Sequence, residues 1–267
     1  METDQPQSIP PDVYDRAYFM SEVCEGLEEA KRGEVSFNKA KQVRMLEPGP
    51  GVKILDAGCG RGETLLACAR AGAEVAGIDY SPAAIELTRE FLADYPEVDL
   101  RVGSVTDLPW EDDTFDRVQF SDVIEHLDAP QTVPALAEFR RVLKPGGYLV
   151  IHTAPNLWFM KYGWPAARPF VKLAGHRAIA DKLDDWLKVA EQYHVNEQST
   201  FSMRKALKAA GFEDAKAWID PDVLRGGQFH LIQGLDGPVV KLAQRVAALK
   251  PVRQFMGNDV IGVGRKT

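Results

Sequence analysis

The chain has 267 residues, 45% of them hydrophobic and 27% charged, with a formal net charge of −7 and a pI near 5.4. That is enough apolar material for one large core or two ordinary ones. The acidic balance speaks against a nucleic-acid partner, which would call for a basic face, and no window approaches the roughly 18 uninterrupted apolar residues of a membrane span.

Residues 1–12 are polar, acidic and proline-bearing, with neither a cationic nor an apolar stretch, so they read as disordered and not as a secretory leader. Apolar residues at Val13, Ala17, Met20, Val23 and Leu27 predict one or two short helices over Asp12–Arg32, and a further helix runs from Val35 to Leu46. After the Glu47–Gly51 turn comes the densest stretch of the chain. A strand at Val52–Leu55 ends on Asp56, and Gly58, Gly60 and Gly62 alternate through a turn. A helix then spans Thr64–Ala71, and a second strand, Glu74–Ile78, ends on Asp79. Ser81-Pro82 caps a helix that runs to about Tyr95. Strands follow at Asp99–Val105 and Phe115–Ser121, with a helix at Thr132–Val142 stopped by Lys144-Pro145-Gly146-Gly147, and a fifth strand at Tyr148–Thr153. The alternation implies right-handed crossovers and a mainly parallel α/β sheet.

Residues 154–198 break the pattern. Leu157–Arg177 holds five aromatic residues (Trp158, Phe159, Tyr162, Trp164 and Phe170) and four cations without an acid; a helix is expected at Asp184–Gln192. A firmer helix spans Thr200–Ala210, followed by a strand at Phe212–Ile219, an irregular stretch over 221–237, an amphipathic helix over Pro238–Leu249 and a last strand at Asp259–Gly264.

Glycines at a strand-to-helix turn let a ligand lie against bare backbone, and an acid ending the next strand can accept hydrogen bonds from a ribose diol. A dinucleotide fingerprint would require glycine at position 63, which is Glu. An acid such as Asp56 before the turn repels a pyrophosphate and attracts an ammonium group. The segments LDAGCGRGE (55–63), VAGIDYSP (75–82), GSVTDLPW (103–110), FDRVQFSDVIEHL (115–127) and LKPGGYLVI (143–151) together resemble the class I S-adenosylmethionine-dependent methyltransferases that act on small molecules.

The resemblance implies a Rossmann-like sheet of seven mostly parallel strands in the order 3-2-1-4-5-7-6, the last strand antiparallel, with helices on both faces and a helical cap. It divides the chain into an N-terminal helical cap (1–50), a cofactor-binding core (51–153), a cap or lid insertion (154–198) and the C-terminal part of the core with an inserted helix (199–267). The implied cofactor is S-adenosylmethionine. Its methionine part would contact Asp56, Gly58, Cys59, Gly60 and Gly62. Asp79 would serve the ribose, Tyr80 would pack near the adenine, and Ser104 and Val105 would lie beside it. Many relatives have an acid where Ser104 stands, which leaves Asp107 as another choice. Ser121 would lie near methyl transfer.

Methyl transfer from a sulfonium is an in-line displacement, so holding the acceptor behind the methyl supplies much of the catalysis, and an oxygen acceptor of high pKa also needs a base. Oxygen is the expected methylated atom, by its frequency in that family; carbon, nitrogen and sulfur stay open. His126 and His194 are the candidate bases, although each has a scaffold reading. Tyr14, Tyr18, His152, Asn156, Trp158 and Tyr162 are the candidate acceptor contacts, with a core role as the alternative for His152. The histidine spacings match no metal site, so no metal is expected. Residues 157–177 read as a pocket lid, as plain packing over the sheet, or as a contact with a membrane surface. Three cysteines without CxxC spacing fit reduced thiols in the cytoplasm. The expected partner is a small-molecule acceptor, and the chain is expected to be a monomer or homodimer.

Overall fold

The computed structural model describes residues 10–21, 24–220 and 245–267. The proposed disorder of the first residues, the irregular stretch 221–237 and most of the amphipathic helix 238–249 fall outside these, apart from helical backbone at 245–247.

Seven strands form one sheet: β1 (Lys53–Ala57), β2 (Glu74–Asp79), β3 (Asp99–Val102), β4 (Phe115–Ser121), β5 (Leu143–Thr153), β6 (Asp214–Ile219) and β7 (Val260–Arg265). Their order is β3-β2-β1-β4-β5-β7-β6, with β1 to β5 paired in parallel and β7 antiparallel to both β5 and β6. This is the expected fold. The helices are α1 (Arg16–Phe19), α2 (Leu27–Lys31), α3 (Phe37–Leu46), α4 (Glu63–Arg70), α5 (Pro82–Phe91), α6 (Ala129–Val142), α7 (Trp164–Leu173), α8 (Arg177–Tyr193), α9 (Thr200–Ala209) and α10 (Lys250–Met256).

Central parallel strands are covered on both faces, so their sequences are apolar at nearly every position. In β1, Ile54 and Leu55 point to opposite sides: Leu55 joins Phe120, Leu136, Phe139 and Met203 under α6 and α9, and Ile54 joins Leu46, Leu65, Ile85 and Val150 under α3, α4 and α5. β5 alternates in the same way, with Leu149 and Ile151 in the first core and Tyr148 and Val150 in the second. Each fully buried Leu, Ile or Phe of these layers contributes about 1.5–3 kcal/mol relative to exposure.

Several boundaries move. β5 begins at Leu143, so Lys144-Pro145-Gly146-Gly147 is a register shift inside the strand and not its prelude. β3 ends at Val102, and Gly103-Ser104-Val105 turns toward the site. α8 starts at Arg177, earlier than the expected Asp184. The aromatic insertion is helical: a π-helical turn at Phe159–Gly163 leads into α7, which packs on α8 around Phe159, Trp164, Ala180, Leu183 and Leu187. At the N-terminus, Tyr14 and Phe19 pack on Ala84 and Leu87 of α5.

Candidate active site

A cavity of about 440 Å³ lies at the C-terminal ends of β1, β2 and β4. In an open parallel sheet this is the edge where ligands bind, at the point where strand order reverses. Its floor is Asp56, Gly58, Cys59, Gly60, Asp79 and Ser121, and its roof comes from Tyr14, Tyr18 and Phe19 at the N-terminus and from Trp186, Val189, Ala190 and Tyr193 of α8.

The glycine turn is wound on itself. The N–H groups of Gly58 and Cys59 both donate to the Ile78 carbonyl (2.7 and 3.1 Å), that of Gly62 donates to the Cys59 carbonyl, and that of Gly60 donates to Asp79 Oδ2 at 3.0 Å. Gly58 has φ 78°, and a Cβ there would collide with Val123. Gly62 (φ 84°) is pressed on Thr88 and does not line the cavity, so its part is to fix the turn and cap α4. At the first position of α4 sits Glu63, 3% exposed, paired with Arg61 at 2.7 Å and Lys39 at 3.0 Å. A carboxylate already occupies the positive end of this helix, which removes the phosphate-binding property such turns otherwise have.

Asp56 is 4% exposed and lines the cavity. Burial pushes its carboxyl up to about 8; Lys39 pulls it down, and Glu63 and Asp79 push it further up. A ligand cation at this point restores the charged form. Asp79 rises to about 6 by burial, against the backbone N–H groups of Ser81 and Gly60 that hold it. With the Tyr80 N–H, three backbone donors hold this carboxylate, and an ionised carboxylate has about four lone-pair sites, so capacity remains for a ribose hydroxyl. The residues present thus fit S-adenosylmethionine: an acid for the ammonium, an acid for the ribose, and a turn without a phosphate cradle. Tyr80, Ser104 and Val105 line the same cavity, with Ser104 Oγ bonded to Thr106.

At the acceptor end, His126 Nδ1 lies 2.9 Å from the Tyr193 carbonyl and 2.9 Å from Tyr14 Oη. A carbonyl only accepts, so Nδ1 carries the hydrogen and Nε2 keeps its lone pair. The His126 and His194 rings stand edge to face at 4.8 Å, and His194 Nδ1 is buried without a partner. Burial lowers both imidazoles, His194 to about 3 with His126 contributing, so both are neutral at pH 7. Glu125, 1% exposed, accepts from Thr153 Oγ1 at 2.8 Å; burial, then the charge of Asp122, pushes its carboxyl up to about 8. The loop carrying His194 is clipped in place because the N–H groups of Val195 and Asn196 donate to the Glu125 carbonyl.

Ligand-capable atoms of Glu125, His126 and His194 lie within 4.8 Å of one another. The expectation of no metal rests on spacing along the chain; His126 and His194 are far apart in sequence and meet only in the fold, so spacing does not reveal this cluster.

The other acceptor candidates divide. Tyr14 and Tyr18 line the cavity; His152, Asn156, Trp158 and Tyr162 do not. His152 lies behind the site, bridging Asp122 (2.8 Å) and Asp259 (3.2 Å); burial opposes its charge, but the two carboxylates outweigh it and hold it well above the usual histidine range. Asn156 is bolted by its amide to the Gln254 and Gly257 carbonyls. Trp158 stacks on Phe255, and Tyr162 meets the same ring. Arg61, Lys39, Glu125 and Asp122 line the site without a signature of their own in sequence, because each acquires its partners across the fold; Glu63, legible in sequence only as the residue that replaces a dinucleotide-binding glycine, lines it too.

Comparison with known proteins agrees. Residues 55–151 match a family model described as a methyltransferase domain. A demethylmenaquinone methyltransferase of Clavibacter sepedonicus is 33% identical over 215 residues, 78% of this chain and 81% of that protein. The chain belongs to the class I S-adenosylmethionine-dependent methyltransferases. A second relative of this methyltransferase, the demethylmenaquinone methyltransferase of Staphylococcus aureus (strain JH9), is 34% identical over 173 residues, 61% of this chain and 68% of the other. The fold matches geranyl diphosphate C-methyltransferase of Streptomyces coelicolor A3(2) with a TM-score of 0.59 at 18% identity, over 95% of this chain and 89% of that one.

Proposed function

We propose that this methyltransferase acts on a flat, largely apolar acceptor carrying an ionisable hydroxyl, and that oxygen receives the methyl. The observation that carries the reading is the roof over the acceptor end: Tyr14, Tyr18, Trp186 and Tyr193 line the cavity together with His126, His194 and Glu125. The bound cofactor supplies an electrophilic methyl on a sulfonium.

The chain's own residues do the rest. Asp56 and Asp79 fix the two ends of the donor. The aromatic roof sandwiches the acceptor ring and sheds its water, which strengthens every polar contact inside. His126 Nε2 is a neutral lone pair able to take the hydroxyl proton as the oxygen attacks; His194, lowered to about 3, is too weak a base for that and lines the pocket beside it, and protonated Glu125 is a donor that orients the acceptor. His126 is kept in one tautomer by the Tyr193 carbonyl. The reading places the enzyme in the cytoplasm, which fits its three free cysteines; among the described residues no helix is long and apolar enough to cross a membrane. The net charge of −7 supports a small-molecule partner over nucleic acid.

The test is transfer of tritiated methyl from S-adenosylmethionine to a panel of phenols, catechols and hydroxynaphthoquinols, with the labelled atom located by mass spectrometry. O-labelled aromatic product is expected; absence of transfer to every hydroxyarene, with cofactor bound, would overturn the acceptor class. Methylation of demethylmenaquinone is the second reading, favoured by the 33% identity to an enzyme of that name, and that compound belongs in the panel.

A further inference from the structure

The π-helical turn and α7 carry apolar side chains on two sides, and each of these sides calls for something to cover it. On the inner side Phe159 and Trp164 are buried against α8, Gly163 is buried against the backbone of Phe255, and Trp164 Nε1 donates to Asp184 at 2.8 Å. The outer side repeats at helical spacing through Tyr162, Ala166, Phe170 and Leu173, with Pro165 and Pro169 beside them, and all six are exposed. Tyr162 is 58% exposed, Phe170 72% and Leu173 87%. Phe255 of α10, 41% exposed, extends this surface, since its ring lies 6.3 Å from that of Tyr162.

The two segments that form the face hold cations and no acids. Phe159–Leu173 and α10 carry Lys161, Arg168, Lys172, Lys250 and Arg253 and no acid, in a chain of net charge −7. Arg168 and Lys172 are paired with Asp184 and Asp181 of α8, so the positive charge at the rim comes from Lys161, Lys250 and Arg253. Aromatic and leucine side chains rimmed by cations, on a helix too short and too charged at its edges to span a bilayer, match an interfacial lipid contact.

We propose that the outer face of α7, with Phe255, docks the enzyme on a bilayer of anionic lipid. The opposite side of the same cap lines the active site through Trp186, Val189, Ala190 and Tyr193 of α8. A docked enzyme therefore holds its cavity one helix layer from the lipid, where an apolar acceptor dissolved in the bilayer can reach it. That last step rests on the aromatic-acceptor reading; the docking does not.

The experiment is co-sedimentation of the full chain with vesicles of phosphatidylglycerol and phosphatidylcholine, and with phosphatidylcholine alone. Wild type is expected to pellet with the anionic vesicles and to be released by high salt. The double variant Phe170→Glu, Leu173→Glu is expected to lose binding by tenfold or more. Both side chains are exposed, so the variant should fold and bind cofactor as wild type does, and calorimetry with S-adenosylmethionine checks this. Vesicle binding without cofactor binding would leave docking intact and sink the methyltransferase chemistry. No pelleting with anionic vesicles would overturn the proposal. So would a dimer in sedimentation velocity that the double variant dissolves, because a second copy would then be what covers the face.

Discussion

Asp79 decides how the donor is held, because its two oxygens are fixed by the N–H groups of Gly60 and Ser81 before any ligand arrives. Asp79→Asn keeps one acceptor and loses the charge; S-adenosylmethionine affinity should fall by roughly 1–3 kcal/mol in calorimetry. Unchanged affinity would remove Asp79 from the site. Asp56 makes a different prediction. Its carboxyl, raised to about 8, is mostly protonated at pH 7; a cofactor ammonium drives it to the charged form, so binding should release up to about one proton. The apparent enthalpy should therefore differ between Tris and phosphate buffers for wild type and not for Asp56→Asn. At the acceptor end, His126→Ala should lower kcat by about 10²–10⁴ with cofactor affinity unchanged. A fall in affinity with unaltered single-turnover rate would make His126 scaffold. Asp56, Asp79 and the glycines were legible in sequence because they sit in one strand–turn–helix–strand run. Glu125 was not: its meaning depends on Thr153, Asp122 and His194, which the fold brings to it.

Arg61 is the clearest device linking elements. It is 2% exposed; its guanidinium donates to the Phe19 and Glu25 carbonyls at 2.5 and 2.6 Å and pairs with Glu63. It straps the segment after α1 onto the turn before α4, so the roof that carries Tyr14 and Tyr18 is tied to the floor. Removing one member of a buried pair leaves the others unsatisfied, and Arg61→Met should cost about 3–5 kcal/mol in urea unfolding. It should also expose the N-terminal segment to protease and weaken cofactor binding; protection equal to wild type would mean that packing of Phe19 alone holds the cap. The strands and most helices could be read from sequence because their periods are local. The cap could not: Ser81 both caps α5 and donates its hydroxyl to the Tyr14 carbonyl at 2.6 Å, a contact that no periodicity announces. The aromatic insertion was legible as composition, but which rings turn inward and which outward came only from the pairing of α7 with α8.

Across the whole molecule, the buried acids set how stability depends on pH. Asp56 and Asp79 titrate near 8 and 6 in the fold, above their ordinary 3.8. The folded chain thus keeps protons that the unfolded chain has released between about pH 4 and pH 8, and these groups' stabilisation is lost as pH rises through that window. His152, held high by Asp122 and Asp259, acts in the same sense. The melting temperature of the free chain should fall from pH 6.5 to pH 8, above the range in which the lowered His126 and His194 act in the opposite sense, and the fall should shrink in Asp56→Asn. Bound cofactor should flatten it, since its ammonium favours the charged form of Asp56. The donor-binding expectations turn on the cavity at the ends of β1, β2 and β4 holding S-adenosylmethionine. The direct measurement is calorimetric titration of the full chain with S-adenosylmethionine, S-adenosylhomocysteine and NAD. Saturable binding of the first two at one site per chain, with none of NAD, is the predicted result; no binding of either sulfur ligand, or binding of NAD in their place, would contradict it.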